Sequence, residues 1–222
     1  MTPDWIIVFD WDGTLIESLP LKIKNAGILF EETFGVSGAD VETAYRIHSG
    51  IPRRQLFEAI CADNGLPPLT DAQFSSLSAE FTKRNRAAVS RVEVESVVLL
   101  TLAALNEKGY PLFISTSAVP DEVLSVTKSL KLDRYFQEIL GSQGDFTKGP
   151  VHIEYILGKL SIPKDRIWFV GDEPSDVRLG KQAGVRTVVK TGSHPKERLA
   201  AAEPDVIIES ISELIPLLER SE

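Results

Sequence analysis

Ile6-Ile7-Val8-Phe9-Asp10-Trp11-Asp12-Gly13-Thr14 is the stretch whose reading decides the fold. An unbroken apolar run rich in β-branched residues reads as a short strand buried on both faces. The run stops at two aspartates one residue apart, followed by glycine and threonine. Carboxylates at the C-terminal end of a buried parallel strand stand where open α/β sheets bind their ligands. Gly13 allows a turn through which the backbone approaches a bound group. Two like charges this close repel, and a divalent cation is the usual remedy. The plainer alternative is an Asx turn, in which Asp10 and Asp12 only cap the next helix.

Outward from this strand the pattern changes. Leu19, Ile23, Ala26, Phe30 and Phe34 fall at helical spacing, and Gly35 supplies a stop. Leu56, Ala59 and Ile60 mark a second amphipathic segment, with Pro52 suited to its first turn. Phe74, Leu77 and Phe81 mark a third, capped near Thr70-Asp71. No strand is expected between about Ile16 and Ser90. Beyond Val92, helices are expected near Val94 to Lys108, from Pro120 through Leu130, over Val151 to Leu160 and over 175–183, with a last one at the C-terminus. Strands are expected at Pro111 to Ile114, Phe136 to Leu140, Ile167 to Val170, 185–189 and 205–208. Strands alternating with helices call for a doubly wound parallel sheet. The predicted architecture is an α/β core over 1–15 and 91–222, with an all-helical cap inserted over 16–90.

Composition narrows the function. The 222 residues carry a formal net charge of -8. With no basic run, this argues against nucleic acid or an anionic membrane as the main partner. Cys61 is the single cysteine, so neither a disulfide framework nor a thiolate metal site is expected. The N-terminal apolar stretch is too short for a signal peptide, and nothing reaches transmembrane length. A cytoplasmic protein is expected. His48, His152 and His194 lack metal-ligand spacing and read as surface or capping residues. Trp11 and Trp168 read as packing, and Cys61 as filler on a cap helix.

The chemistry lies at the strand ends. The first offers Asp10 and Asp12, the next Ser115, Thr116 and Ser117, a later loop Lys148, and the apolar strand at 167–170 leads to Asp172 and Asp176. In a parallel sheet these ends share one edge. Hydroxyls, an ammonium and several carboxylates around a cation suit phosphoryl chemistry, in which a carboxylate can attack phosphorus.

Asp10-Trp11-Asp12-Gly13-Thr14, Thr116, Lys148 and Gly171-Asp172-Glu173-Pro174-Ser175-Asp176 resemble the four signature motifs of the haloacid dehalogenase-like hydrolases. The phosphatase branch, phosphoglycolate phosphatases included, is the nearest pattern. The resemblance implies that Asp10 is the nucleophile and that Asp12 is first general acid, then general base. It implies Mg²⁺ held by Asp10, the Asp12 carbonyl and Asp172, with Asp176 ligating or orienting. Thr116, Ser117, Lys148 and Gly13 would surround the phosphoryl group, with Ser115 a rival to Thr116. Two positions differ from the common pattern. Gly149 rather than proline follows Lys148, and Ser117 stands where phosphoglycolate phosphatases commonly carry asparagine.

The expected partner is a small phosphorylated metabolite, with oligomeric state left open. Asp12 argues against a haloalkanoate dehalogenase, whose branch lacks that residue. A sugar-phosphate mutase shares the same core. A phospho-accepting receiver domain leaves no room for the insertion. Within the cap, Ser49-Gly50-Ile51-Pro52-Arg53-Arg54 reads as a turn that presents Arg53 or Arg54 to an anionic leaving group. Small anionic phosphate esters are therefore expected to be preferred.

Overall fold

The computed structural model describes residues 5–160 and 162–220. The founding strand is β1 (Ile6–Phe9), and each of its side chains is completely buried. Its alternation feeds two cores, as the two-residue strand repeat requires. Ile7 and Phe9 join one hydrophobic cluster, while Ile6 and Val8 join another on the opposite face. Burial on this scale is worth about 1.5–3 kcal/mol per side chain.

Five further strands complete the sheet: β2 (Leu112–Ser115), β3 (Glu138–Leu140), β4 (Ile167–Gly171), β5 (Arg186–Lys190) and β6 (Val206–Ile208). All pairings are parallel, in the order β3-β2-β1-β4-β5-β6. The chain order reverses beside β1, the crevice in which doubly wound sheets bind ligands. The register aligns Phe9 with Ile114 on one side and Val170 on the other. Asp10, Thr116 and Asp172 therefore emerge along one edge. Helices α5 (Ser96–Glu107), α6 (Pro120–Ser129) and α10 (Leu214–Glu219) cover the Phe9 face. Helices α7 (Pro150–Leu160) and α8 (Pro174–Ala183) cover the other.

Between β1 and α5 lie α1 (Leu19–Phe34), α2 (Gly38–Ile47), α3 (Arg53–Asp63) and α4 (Asp71–Val89). They pack around a core of their own, built on Phe30, Phe57, Phe81, Ile60 and neighbours, with the Phe57 ring 5.3 Å from Phe30 and 5.4 Å from Phe81. At the two junctions, Ile16 and Val89 pack into the sheet cluster instead.

Several local readings change. Helix α2 goes unseen in the sequence pattern because it buries only Val41, Ala44 and Tyr45. That narrow stripe leaves Ile47 exposed, and Ser37 caps the helix through the Asp40 amide. Pro52 sits at the N-cap of α3 rather than inside its first turn. Strand β3 begins at Glu138, two residues later than expected, because Asp133–Tyr135 forms a 3-10 turn that leads Phe136 toward it. Helix α9 (Lys196–Ala200) is too short for periodicity to reveal, and it buries only Leu199. At α4 the expected cap is present in fuller form, as a reciprocal Thr70–Gln73 capping box. Among the described residues, no helix is long and apolar enough to cross a membrane.

Candidate active site

Asp10 leaves β1 with its amide bonded to the Val170 carbonyl at 2.8 Å, which fixes it against β4. The turn that follows closes through Leu15 and Ile16 amides on the Trp11 carbonyl, at 3.1 and 3.3 Å. Gly13 takes a φ of +82° there. A Cβ at this position would overlap the Asp172 carboxylate, so glycine lets two motifs meet. Gly171 is required for the same kind of reason, since a Cβ there would run into the Asp176 carboxylate.

Asp10, Asp172 and Asp176 each offer an oxygen within 4.8 Å of the others, and all are buried. Lys148 Nζ lies 2.9 Å from Asp10 Oδ1 and 2.5 Å from Asp176 Oδ1. The other Asp176 oxygen accepts the amides of Asp172 and Glu173, at 3.1 and 3.0 Å. Asp176 thus ties the loop after β4 to Lys148. Asp172 Oδ1 accepts from Thr14 Oγ1 at 2.7 Å. Its Oδ2 is buried without a hydrogen-bond partner of good geometry, although the nearby Ser193 hydroxyl eases its charge.

This crowding has an electrostatic signature. Burial pushes Asp10 well above the usual carboxylate range; Lys148 pulls it down, and Asp176, Asp172 and Asp12 push it further up. Asp172 is raised to about 7 by burial and by Asp176. Burial works against the Lys148 ammonium, yet Asp10 and Asp176 hold it charged and raise its pKa. Three carboxylates around one ammonium, with an orphaned buried oxygen, make a hard oxygen donor set that fits a divalent cation.

Lys148 is placed by two serines. Ser142 Oγ donates to the Thr116 carbonyl at 2.8 Å and accepts the Lys148 amide at 2.9 Å. Ser115 Oγ lies 2.9 Å from His152 Nδ1 and accepts the Gly149 amide at 3.4 Å. The Ser115 hydroxyl is thereby committed behind the site, whereas Thr116 lines the cavity with Asp10, Asp12 and Lys148. His152 is therefore not a surface residue. It is fully buried, and burial and Lys148 lower its pKa to about 4, which keeps it neutral.

Other expected site residues are placed differently. The Gly13 amide donates to the Ile16 carbonyl at 2.8 Å, so it is spent on the turn rather than free for a phosphoryl oxygen. Ser117 lines the cavity, but its hydroxyl donates to the Gly50 carbonyl at 3.0 Å and joins the cap to the sheet edge. Asp12 keeps its carboxylate out of the aspartate cluster, bonding to Ser18 Oγ and, at 2.6 Å, to Lys22 Nζ. Arg53 is buried and lines the cavity, yet it is bound to Ser78, Thr82 and Glu122. Arg54 points away: its guanidinium pairs with Glu58 at 2.7 Å and Asp71 at 2.8 Å and lies over Phe74. Neither arginine is the free anion hook that the loop sequence suggested, because acidic and hydroxylic neighbours on other helices claim both.

Lys22, Tyr45 and Glu122 went unnoticed in the sequence. Lys22 and Tyr45 line the cavity, and Glu122 bonds Lys22 from α6. A signal existed for two of them. Lys22 occupies the second position of the Leu19-Lys22-Ile23-Ala26 stripe, and Glu122 stands in the Glu122-Val123-Val126 stripe of α6. A charge inside an apolar stripe is a buried charge, and buried charges are paired.

Residues 7–190 match the family model of the haloacid dehalogenase-like hydrolases. Among curated relatives, the chain is 30% identical over 231 residues to the phosphoglycolate phosphatase of Mannheimia succiniciproducens, covering 96% of this chain and 97% of that protein. It is 31% identical over 218 residues to pyrophosphatase PpaX of Anoxybacillus flavithermus, covering 96% and 95% respectively. In structure it is similar to a predicted phosphoglycolate phosphatase from Haemophilus somnus, with a TM-score of 0.83 at 23% identity. That superposition covers 98% of this chain and 100% of the other, and it shows the fold alone.

Proposed function

This chain belongs to the haloacid dehalogenase-like hydrolases, and we propose that it is a Mg²⁺-dependent phosphomonoester phosphatase acting through an aspartyl-phosphate on a small phosphorylated metabolite. The observation that carries this reading is the Asp10–Lys148–Asp176 ion pair set beside Asp172 at the switch point of the sheet. The names of the relatives support the same substrate class.

In the proposed reaction an Asp10 carboxylate oxygen attacks phosphorus. The new O–P bond forms as the bond from phosphorus to the leaving oxygen breaks. That oxygen takes a proton from Asp12, which Ser18 and Lys22 hold at the cavity wall. Water then attacks the aspartyl-phosphate, Asp12 takes the water proton, and inorganic phosphate leaves with Asp10 restored. Lys148 and the Thr116 hydroxyl face the phosphoryl oxygens and stabilise charge there without rearranging. Asp10, Asp172 and the Asp12 carbonyl would hold Mg²⁺, with Asp176 orienting the set from behind. The bound cation would relieve carboxylate repulsion and polarise the phosphoryl group.

The domain division follows the same reading: a core of 1–15 and 91–222, and a cap of 16–90 that closes the cavity. The separate cap cluster supports it, as does the Ser117–Gly50 bond across the junction. Cap closure excludes water from the attack on phosphorus.

The test is Asp10→Asn, which keeps shape and removes the attacking charge. Phosphate release from an aryl phosphate should fall by at least ~10³-fold while the fold survives. Substantial turnover in this variant would sink covalent catalysis at Asp10.

A further inference from the structure

Glu122 takes no part in the phosphoryl-transfer scheme above, yet it is an acidic residue only 1% exposed, in the first turn of α6. Its Oε1 accepts from Lys22 Nζ at 2.8 Å, and its Oε2 accepts from Arg53 Nη2. Asn85 Nδ2 lies 3.4 Å from both of its oxygens. These partners all come from the inserted helices, whereas Glu122 comes from the sheet's own layer. Burial disfavours its charge, but Lys22 and Arg53 outweigh burial and hold its carboxyl below the usual range.

Lys22 and Arg53 face the cap end of the cavity, beside Leu19, Tyr45, Leu56 and Phe81. Their charges are already spent. Lys22 divides its ammonium between Asp12 at 2.6 Å and Glu122. Arg53 Nη1 donates to Ser78 Oγ at 3.2 Å, to the Ser78 carbonyl at 3.3 Å and to Thr82 Oγ1 at 2.6 Å. With Nη2 on Glu122, both terminal nitrogens of the guanidinium have protein acceptors. Glu122 serves both cations, and Leu19, Leu56 and Phe81 make the wall beside them largely apolar. A carboxylate brought to this end would lose its water and find Glu122 already holding Lys22 and Arg53, while Lys148 is held by Asp10 and Asp176. A neutral hydroxylic group carries no such penalty.

We propose that Glu122 determines the leaving-group preference: by neutralising Lys22 and Arg53 from behind the cavity wall, it selects phosphate esters of small uncharged alcohols over those whose leaving group bears a carboxylate or second phosphate. The inference rests on the phosphatase reading given above. Specificity of this kind comes from what the pocket refuses as much as from what it binds.

The experiment compares two esters of nearly equal size, 2-hydroxyethyl phosphate and phosphoglycolate, with p-nitrophenyl phosphate as a generic substrate. The wild-type protein should show a kcat/KM about 10-fold or more higher for the hydroxyethyl ester, the discrimination expected of one charge-assisted contact. Glu122→Gln should move that ratio toward phosphoglycolate by about 10–100-fold, because two buried cations then lose the carboxylate charge they share. Glu122→Asp retains the charge and should stay on the wild-type side. A wild-type preference for phosphoglycolate overturns the inference even where Glu122→Gln does not fold. So does an unchanged ratio in a folded Glu122→Gln. Failure of the wild type, supplied with Mg²⁺, to hydrolyse p-nitrophenyl phosphate or either ester would instead strike the phosphatase reading itself.

Discussion

At the sheet end of the cavity three buried carboxylates, Asp10, Asp172 and Asp176, face one ammonium, Lys148. At the cap end two cations, Lys22 and Arg53, face two carboxylates, Asp12 and Glu122. Both ends are hydrogen-bonded and, apart from the half-buried Asp12, buried, so burial does little to distinguish them. Charge balance does. The sheet end carries an excess of negative charge that folding alone leaves unrelieved, and two of its carboxyls are pushed upward as a result. The cap end is closed upon itself. On the proposed reading, one end receives a cation and a phosphoryl group, and the other admits a group that brings no charge.

The most severe way to break this comparison is to remove the single ammonium of the sheet end. Lys148→Met leaves its carboxylates without a counter-charge. Loss of one partner of a buried ion pair costs about 3–5 kcal/mol, and kcat on an aryl phosphate should fall by ~10²–10³-fold, as when an oxyanion donor is lost. Chemical denaturation and steady-state kinetics on the same preparation check both. Near wild-type values in each would mean that Lys148 does not balance this cluster.

Adding a cation should act in the opposite direction. Mg²⁺ at 100 times its dissociation constant should stabilise the fold by about 2.7 kcal/mol, and the gain should depend on pH. The Asp172 carboxyl is raised in the folded state, to about 7 against an ordinary value near 4. The folded, metal-free protein therefore holds this proton more tightly than the unfolded chain. Its contribution to stability is full below the ordinary carboxylate value and is lost as pH rises through about 7. Mg²⁺ competes with that proton. The rise in melting temperature on adding MgCl₂ should be larger at pH 8 than at pH 5, as scanning fluorimetry can measure. A rise that is equal at the two pH values would contradict a cation site at Asp172.

The smallest effect sharpens the cap side. Arg54 lies outside the cavity in an exposed pair with Glu58 and Asp71. Arg54→Ala should change stability little, as is usual for an exposed ion pair, and leave kcat/KM within about twofold, whereas Arg53→Ala should disturb both stability and turnover. Equal kinetic losses in the two variants would place the α3 loop differently from the arrangement described.

How far the sequence carried follows the same division. Strand β1, the sheet class and the convergence of Asp10, Thr116, Lys148 and Asp172 were legible because strand ends and turn glycines are local features, and parallel topology then brings them together. The insertion was legible as helical, but α2 was not, since Val41, Ala44 and Tyr45 make too thin a stripe. At Gly13, Ser117 and Arg53 the sequence suggests free ligand-binding groups, and the fold engages them for one shared reason. Each presents a donor that suits a ligand, and in each case a protein acceptor takes it: the Ile16 carbonyl, the Gly50 carbonyl and Glu122. Sequence spacing says which groups are available to the site and is silent on which the fold has already used. Glu122 stood in plain view as a charge in an apolar stripe, but its meaning depended on two partners at least 69 residues away.

The central claim is that the negative sheet end performs covalent phosphoryl transfer at Asp10. The most direct measurement is acid quenching during turnover of p-nitrophenyl phosphate, followed by peptide mapping of the protein by mass spectrometry. The account predicts a phosphoryl group on the peptide that contains Asp10, localised to that side chain and absent in Asp10→Asn. Steady hydrolysis with the phosphoryl group on another residue, or with Asp10→Asn as active as wild type, would contradict it.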